Sequence, residues 1–156
     1  MEREPSSHPA KANKVLIGIA GVHHVVSELS RRGLVALPTT KNTAAYDIVV
    51  VNQQGTKHAN IQVKASSKRA TFFLMPSAEK VRAGRRDIYV FVRWLKREDR
   101  YECFLLTGRQ ARDAVKDGIK AQRIRIKAGT RKVEVPCVTV GKAAERWRLA
   151  WRRWRL

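Results

Sequence analysis

Acidic residues are scarce in this chain: 13 Asp and Glu stand against 33 Lys and Arg over 156 residues, a formal charge of +20. A balance of that kind says nothing of fold, but it predicts attraction to polyanions, nucleic acid first among them. Cysteine is almost missing. Cys103 and Cys137 lie at no metal-ligand spacing, which excludes a disulfide framework and fits a reducing cytosol. Long hydrophobic runs are also lacking, since none approaches the roughly 18 residues a membrane-spanning helix needs. The nearest is residues 15–22, behind Lys11 and Lys14. Its apolar pattern continues past any cleavage point, so it reads as the start of a helix rather than a leader. The cytoplasm is the expected location, and no internal repeat is visible.

What remains is enough for one domain with its own core. Residues 1–13 are a flexible polar arm, and residues 14–156 form the domain. Val15, Ile19, Val22, Val25, Val26 and Leu29 fall at helical spacing, and Gly33 is a natural stop. A short strand over 34–38 and a polar loop over 39–45 follow. Residues 46–51 and 60–65 read as strands joined by the turn-rich Asn52-Gln53-Gln54-Gly55. Four aliphatics in a row, 48–51, predict a central strand buried on both faces. After an apolar segment over 71–75, a short helix is expected over 77–83 and a hairpin over 87–95 and 101–106. Thr107 is a cap for a helix ending near Lys116, with Gly118 beyond it. A second hairpin is expected over 123–127 and 132–140 across Gly129, then a closing helix over 142–154. These elements predict an α/β fold, a single domain whose central mixed β-sheet is flanked by helices.

Side chains at i and i+2 of a strand share a face. Gln62 and Lys64 therefore project together, beside Asp47 if the two strands pair. An acid and an amide oxygen for a metal ion, with an ammonium for a nearby phosphate, are the ingredients of metal-assisted phosphodiester cleavage. The plain alternative is a turn-ending Asp and two exposed strand residues on a polar sheet face.

Three ordered segments resemble the PD-(D/E)XK nuclease superfamily, in the small branch whose lysine motif reads Gln-x-Lys. They are residues 20–33, beginning Ala20-Gly21-Val22-His23-His24, then Asn42-Thr43-Ala44-Ala45-Tyr46-Asp47-Ile48, then Ile61-Gln62-Val63-Lys64. The resemblance covers about residues 14–106 and implies a restriction-endonuclease-like core: a helix, a three-stranded meander, a second helix and a further strand. It implies a DNA endonuclease using Mg²⁺ or Mn²⁺. By similarity Asp47 is the metal-binding acid, Gln62 replaces the second acid with the Val63 carbonyl alongside, and Lys64 orients or deprotonates the attacking water. Relatives that cut both strands often pair, so a homodimer is part of the expectation. One departure stands out. Relatives carry a glutamate directly after the helix glycine, where this chain has Val22. The candidate substitute, Glu28, lies roughly 120° around the helix from Val22.

Other features admit two readings each. Ser66, Ser67, Lys68 and Arg69 follow the proposed site and either hold substrate phosphates or form a basic loop. His24 and Glu28 stand at i and i+4, but no second histidine completes a zinc motif, so a solvated face is expected. His23 is placed to help a substrate phosphate, and His8 and His58 fall in loops. Trp147, Trp151 and Trp154 make one helical face among arginines. That face is either a surface for single strands or lipid, or a stripe docked on the core, and docking is the expectation. Lys80, Arg82, Arg85, Arg86, Arg93, Lys96, Arg97 and Arg100 read as a general electrostatic surface. A non-catalytic nucleic-acid-binding module of the same fold is the alternative to the nuclease, favoured by Val22. A membrane-active or ribosome-associated basic protein is the third reading.

Overall fold

The computed structural model describes residues 13–40, 46–67, 71–141 and 143–156. Most of the polar arm, much of the 39–45 loop and Lys68 and Arg69 lie outside the described residues. The first element, α1 (Lys14–Arg31), begins where the Asn13 side chain accepts a hydrogen bond from the Val15 N–H. It ends where Gly33 takes φ +78°, with the Gly33 and Leu34 N–H groups donating back to Ser30 and Leu29. That left-handed turn is why a glycine stands here.

Three antiparallel strands follow: β1 (Val35–Pro38), β2 (Ile48–Val51) and β3 (His58–Ser66). A short strand, β4 (Phe72–Leu74), and a single 3₁₀ turn, Ala78–Lys80, lead to β5 (Asp87–Leu95), which pairs parallel with β3. The hairpin partner β6 (Arg100–Thr107) completes a mixed five-stranded sheet in the order β1-β2-β3-β5-β6. The molecule is thus an α/β domain.

One core lies under α1, where Val25, Leu29, Ile48, Val50, Ile61, Val63, Val90 and Val92 are buried together. The other covers β5 and β6, with Tyr89, Phe91, Phe104 and Leu106 beneath α2 (Gly108–Lys127). There β4 pairs with β7 (Cys137–Thr139) in a separate two-stranded sheet. The last helix, α3 (Ala144–Arg153), packs on β6, with Trp147 in one core and Trp151 in the other. A sheet edge covered in this way is closed to further strands.

Four expectations are corrected. The helix expected over 77–83 is only the 3₁₀ turn Ala78–Lys80. Only one face of β2 is fully buried: Ile48 and Val50 are, whereas Val49 and Val51 are half-buried. The strand is interior to the sheet, but its second face is not roofed. The stripe on α1 docks only from Gly21 onward, because the first two turns overhang the sheet and leave Val15 and Ile19 exposed. Most plainly, the helix after Thr107 runs to Lys127, and the 123–140 hairpin does not form. Gly118 sits inside this helix, where an added Cβ would be 3.2 Å from the Cys137 carbonyl. Here it serves close packing rather than a stop. The alternation Arg123-Ile124-Arg125-Ile126 imitated a strand. Buried Gln122 instead clamps the return segment, donating to the Val135 carbonyl at 2.9 Å and accepting from its N–H at 2.7 Å. Among the described residues no helix is long and apolar enough to cross a membrane.

Candidate active site

Asp47 immediately precedes Ile48, whose partner across the ladder is Ile61. The Asp47 N–H donates to the Ile61 carbonyl at 2.9 Å, and there the two strands part. Val63, two residues further along β3, donates its N–H to Oδ2 of Asp47 at 2.7 Å. The carboxylate thus takes the place of the next backbone acceptor. In an antiparallel ladder the N–H and C=O of one residue face the same neighbour, so the Val63 carbonyl faces this gap as well. The Gln62 amide also donates to Oδ2. Lys64, two residues on and on the same face, lies close enough for its charge to act on Asp47.

Burial pushes the Asp47 carboxyl above its usual range, while the Val63 N–H and the Lys64 ammonium pull it back. A carboxylate partly withdrawn from water, with one oxygen committed to protein donors, is suited to receive a cation. The amide of Gln62, turned by half a rotation, presents its oxygen to the same point. Among the described residues, no three His, Cys, Asp or Glu side chains cluster as a metal-binding group. The donors that the hydrogen bonds of the fork bring together are one carboxylate, one amide and one main-chain carbonyl. All are hard oxygens, a set that fits Mg²⁺ or Mn²⁺ only if water or phosphate completes the shell.

Glu28 is not brought to this point. It pairs with Arg31 at 3.1 Å and Arg32 at 3.7 Å on α1. That helix packs on the face of Ile61 and Val63, whereas Gln62 and Lys64 alternate to the other side. Val22 packs against the core. His24 stacks on Tyr101 with ring centroids 4.3 Å apart, and burial lowers its pKa although the Glu28 charge raises it. Ser66 and Ser67 are half-buried at the end of β3.

Two neighbours were not foreseen. Arg82 lies over the Tyr46 ring, 4.6 Å from its centroid, and donates to the Tyr46 hydroxyl. Its backbone N–H donates to the Tyr89 hydroxyl at 3.1 Å, and Tyr89 is in register with Gln62. Arg82 therefore flanks the Asp47 fork with a half-exposed guanidinium, 4.0 Å from Asp87. Residues 46 and 82 meet only through tertiary structure. No spacing in the chain links them.

Two of the three C-terminal tryptophans are spent on the protein itself. Trp147 and Trp151 are buried and Trp154 is half-buried. Arg32 covers Trp151 at 4.3 Å from the ring and donates to its carbonyl at 2.8 Å. No family model, curated protein or solved structure matches this chain.

Proposed function

We propose that the chain is a metal-dependent DNA endonuclease of PD-(D/E)XK type, with Asp47, Gln62 and Lys64 as its site. The observation that carries this reading is the meeting of those three side chains at the fork of β2 and β3. The antiparallel β1–β3 meander, with β5 returning parallel to β3, supports a restriction-endonuclease-like core. The second helix of such a core has only β4 and a three-residue 3₁₀ turn in its place.

Asp47, the Gln62 amide oxygen and the Val63 carbonyl would hold Mg²⁺ or Mn²⁺, which supplies Lewis-acid stabilisation of phosphoryl charge. Lys64 orients the attacking water and offsets negative charge on the phosphate as it becomes five-coordinate. Arg82, beside the fork, holds a flanking phosphate. Ser66, Ser67, Lys68 and Arg69 contact the backbone of the same strand. Cleavage of both strands calls for two such sites, which a homodimer supplies, and the free, buried Cys103 and Cys137 suit the cytoplasm.

A second reading is a nucleic-acid-binding module without catalysis. It is favoured by Asp47 being, among the described residues, the one carboxylate hydrogen-bonded at the fork, and by Glu28 being paired elsewhere. The deciding experiment incubates the protein with supercoiled plasmid and branched DNA in Mg²⁺, Mn²⁺ or EDTA, beside Asp47→Ala and Lys64→Ala. Metal-dependent nicking lost in both variants is the expected outcome. Equal, salt-sensitive binding by all three proteins without any cutting would replace the nuclease with the binding module.

A further inference from the structure

At the opposite end of β3 from Lys64 lies a cleft of about 330 Å³, between the β2–β3 turn, the start of β5 and the residues after α3. His58 and Gln62, which bonds Asp47, are four residues apart on one strand, about 13 Å at about 3.3 Å per residue. This cleft is therefore separate from the Asp47 fork. Its walls carry Lys57, His58, Arg85, Arg86 and Arg155, and Trp154 contributes an aromatic surface. Among the described residues, no Asp or Glu side chain pairs with any of these four cations, and the main-chain oxygen of the final residue, Leu156, lies 3.4 Å from Lys57.

Three of the four exposed cations have contacts on the protein. The Arg86 carbonyl accepts from the Asn60 N–H at 2.9 Å, fixing its backbone to β3. Its guanidinium lies 2.8 Å from Nε2 of His58. Arg155 folds back so that its guanidinium donates to the Trp154 carbonyl at 2.8 Å. Lys57 reaches across the cleft toward the Leu156 carbonyl, 3.4 Å away. Four guanidinium and ammonium groups gathered with no Asp or Glu side chain among them repel one another, and the chain-end oxygen of Leu156 at Lys57 offsets only part of that. An anion entering between them removes that cost and forms charge-assisted hydrogen bonds.

We infer that this cleft binds a nucleoside phosphate, with the phosphate held by Lys57, Arg85 and Arg86 and the base laid against Trp154. The volume suits one nucleotide unit. An aromatic ring beside cations is the arrangement that accepts a base without regard to its identity. The shared chemistry belongs equally to a free nucleotide and to one unit of a single strand. The inference does not depend on catalysis at Asp47.

The test titrates the full chain with deoxyadenosine monophosphate, deoxyadenosine, inorganic phosphate and a 5′-phosphorylated single-stranded octamer, by calorimetry and by amide chemical shifts. The monophosphate is expected to saturate, moving the amides of Lys57, His58 and Arg86, while deoxyadenosine does not. The Lys57→Ala/Arg86→Ala pair should weaken it on the order of tenfold or more. The exposed pair Lys96→Ala/Arg97→Ala should leave it unchanged. Trp154→Leu should weaken the monophosphate but not inorganic phosphate, and unperturbed amides elsewhere will show that each variant is folded. An octamer bound far more tightly than the monophosphate identifies a strand as the ligand, and equal binding identifies a free nucleotide. The inference is overturned if the Lys96/Arg97 pair loses as much affinity as the cleft pair. It is equally overturned if phosphate and monophosphate bind alike to every variant with shifts spread over the surface.

Discussion

Asp47 holds its proton more tightly in the fold than in the open chain, because burial outweighs the Val63 N–H and the Lys64 charge. For an acid raised in this way, the stabilising contribution is full below the unfolded pKa and is lost as pH climbs through the folded pKa. At neutral pH the ionised carboxylate is therefore a cost to the fold. Asp47→Asn keeps an oxygen for the Val63 N–H and removes that cost. Its melting temperature should exceed the parent's at neutral pH, and the gap should close by roughly pH 3, below the ordinary carboxylate range. Saturating Mg²⁺ should act oppositely, raising the parent by about 2.7 kcal/mol at a hundredfold excess over Kd and leaving Asp47→Asn unmoved. Thermal scans at several pH values, with Mg²⁺ or EDTA, read both effects. A parent protein indifferent to Mg²⁺ would count against the metal. The grouping of Asp47, Gln62 and Lys64 was legible in the chain, since strand alternation alone joins residues 62 and 64. Arg82 over Tyr46 was not, because a loop contact across 36 residues leaves no periodic trace.

Helix α1 meets β3 at Gly21, where an added Cβ would lie 2.6 Å from the Ala65 Cβ. Real side chains do not approach so near, so Gly21→Ala must push the helix off the strand that carries Lys64. Better helix propensity returns about 1 kcal/mol, against about 1–3 kcal/mol for overpacking. The expected result is a net loss of stability, measured by urea unfolding. Ala65→Gly in the same chain should recover much of it, and a double variant no better than Gly21→Ala would place the strain elsewhere. The helical period of α1 and the apolar runs of β2, β3 and β5 were readable because each repeats a local pattern. The true length of α2 was not. Its last turn alternates arginine and isoleucine as a strand does, and only the Gln122 clamp on Val135, set by tertiary packing, decides for helix.

Across the whole molecule the few acids are largely spent on holding it together. Glu102 is ringed by Arg93 at 2.6 Å, Arg100 at 3.3 Å and Arg148 at 3.7 Å. Burial opposes its charge, but the Arg93 hydrogen bond and the surrounding arginines outweigh this and hold its pKa low. Arg123 and Arg31 likewise take Glu134 and Glu28. With 33 basic residues and 13 acidic ones, most cations are left without a carboxylate and face solvent. Binding to DNA of any sequence in EDTA should therefore be strong at low salt and weaken steeply. For six to ten phosphate contacts, affinity falls about 10³- to 10⁵-fold between roughly 50 and 200 mM salt. Fluorescence anisotropy on unrelated duplexes reads the slope of log K against log salt. A common steep slope identifies phosphate neutralisation as the source of affinity. A shallow slope, or one duplex strongly preferred, would instead require base-edge contacts to carry the binding, and the surface charge would lose its assigned role.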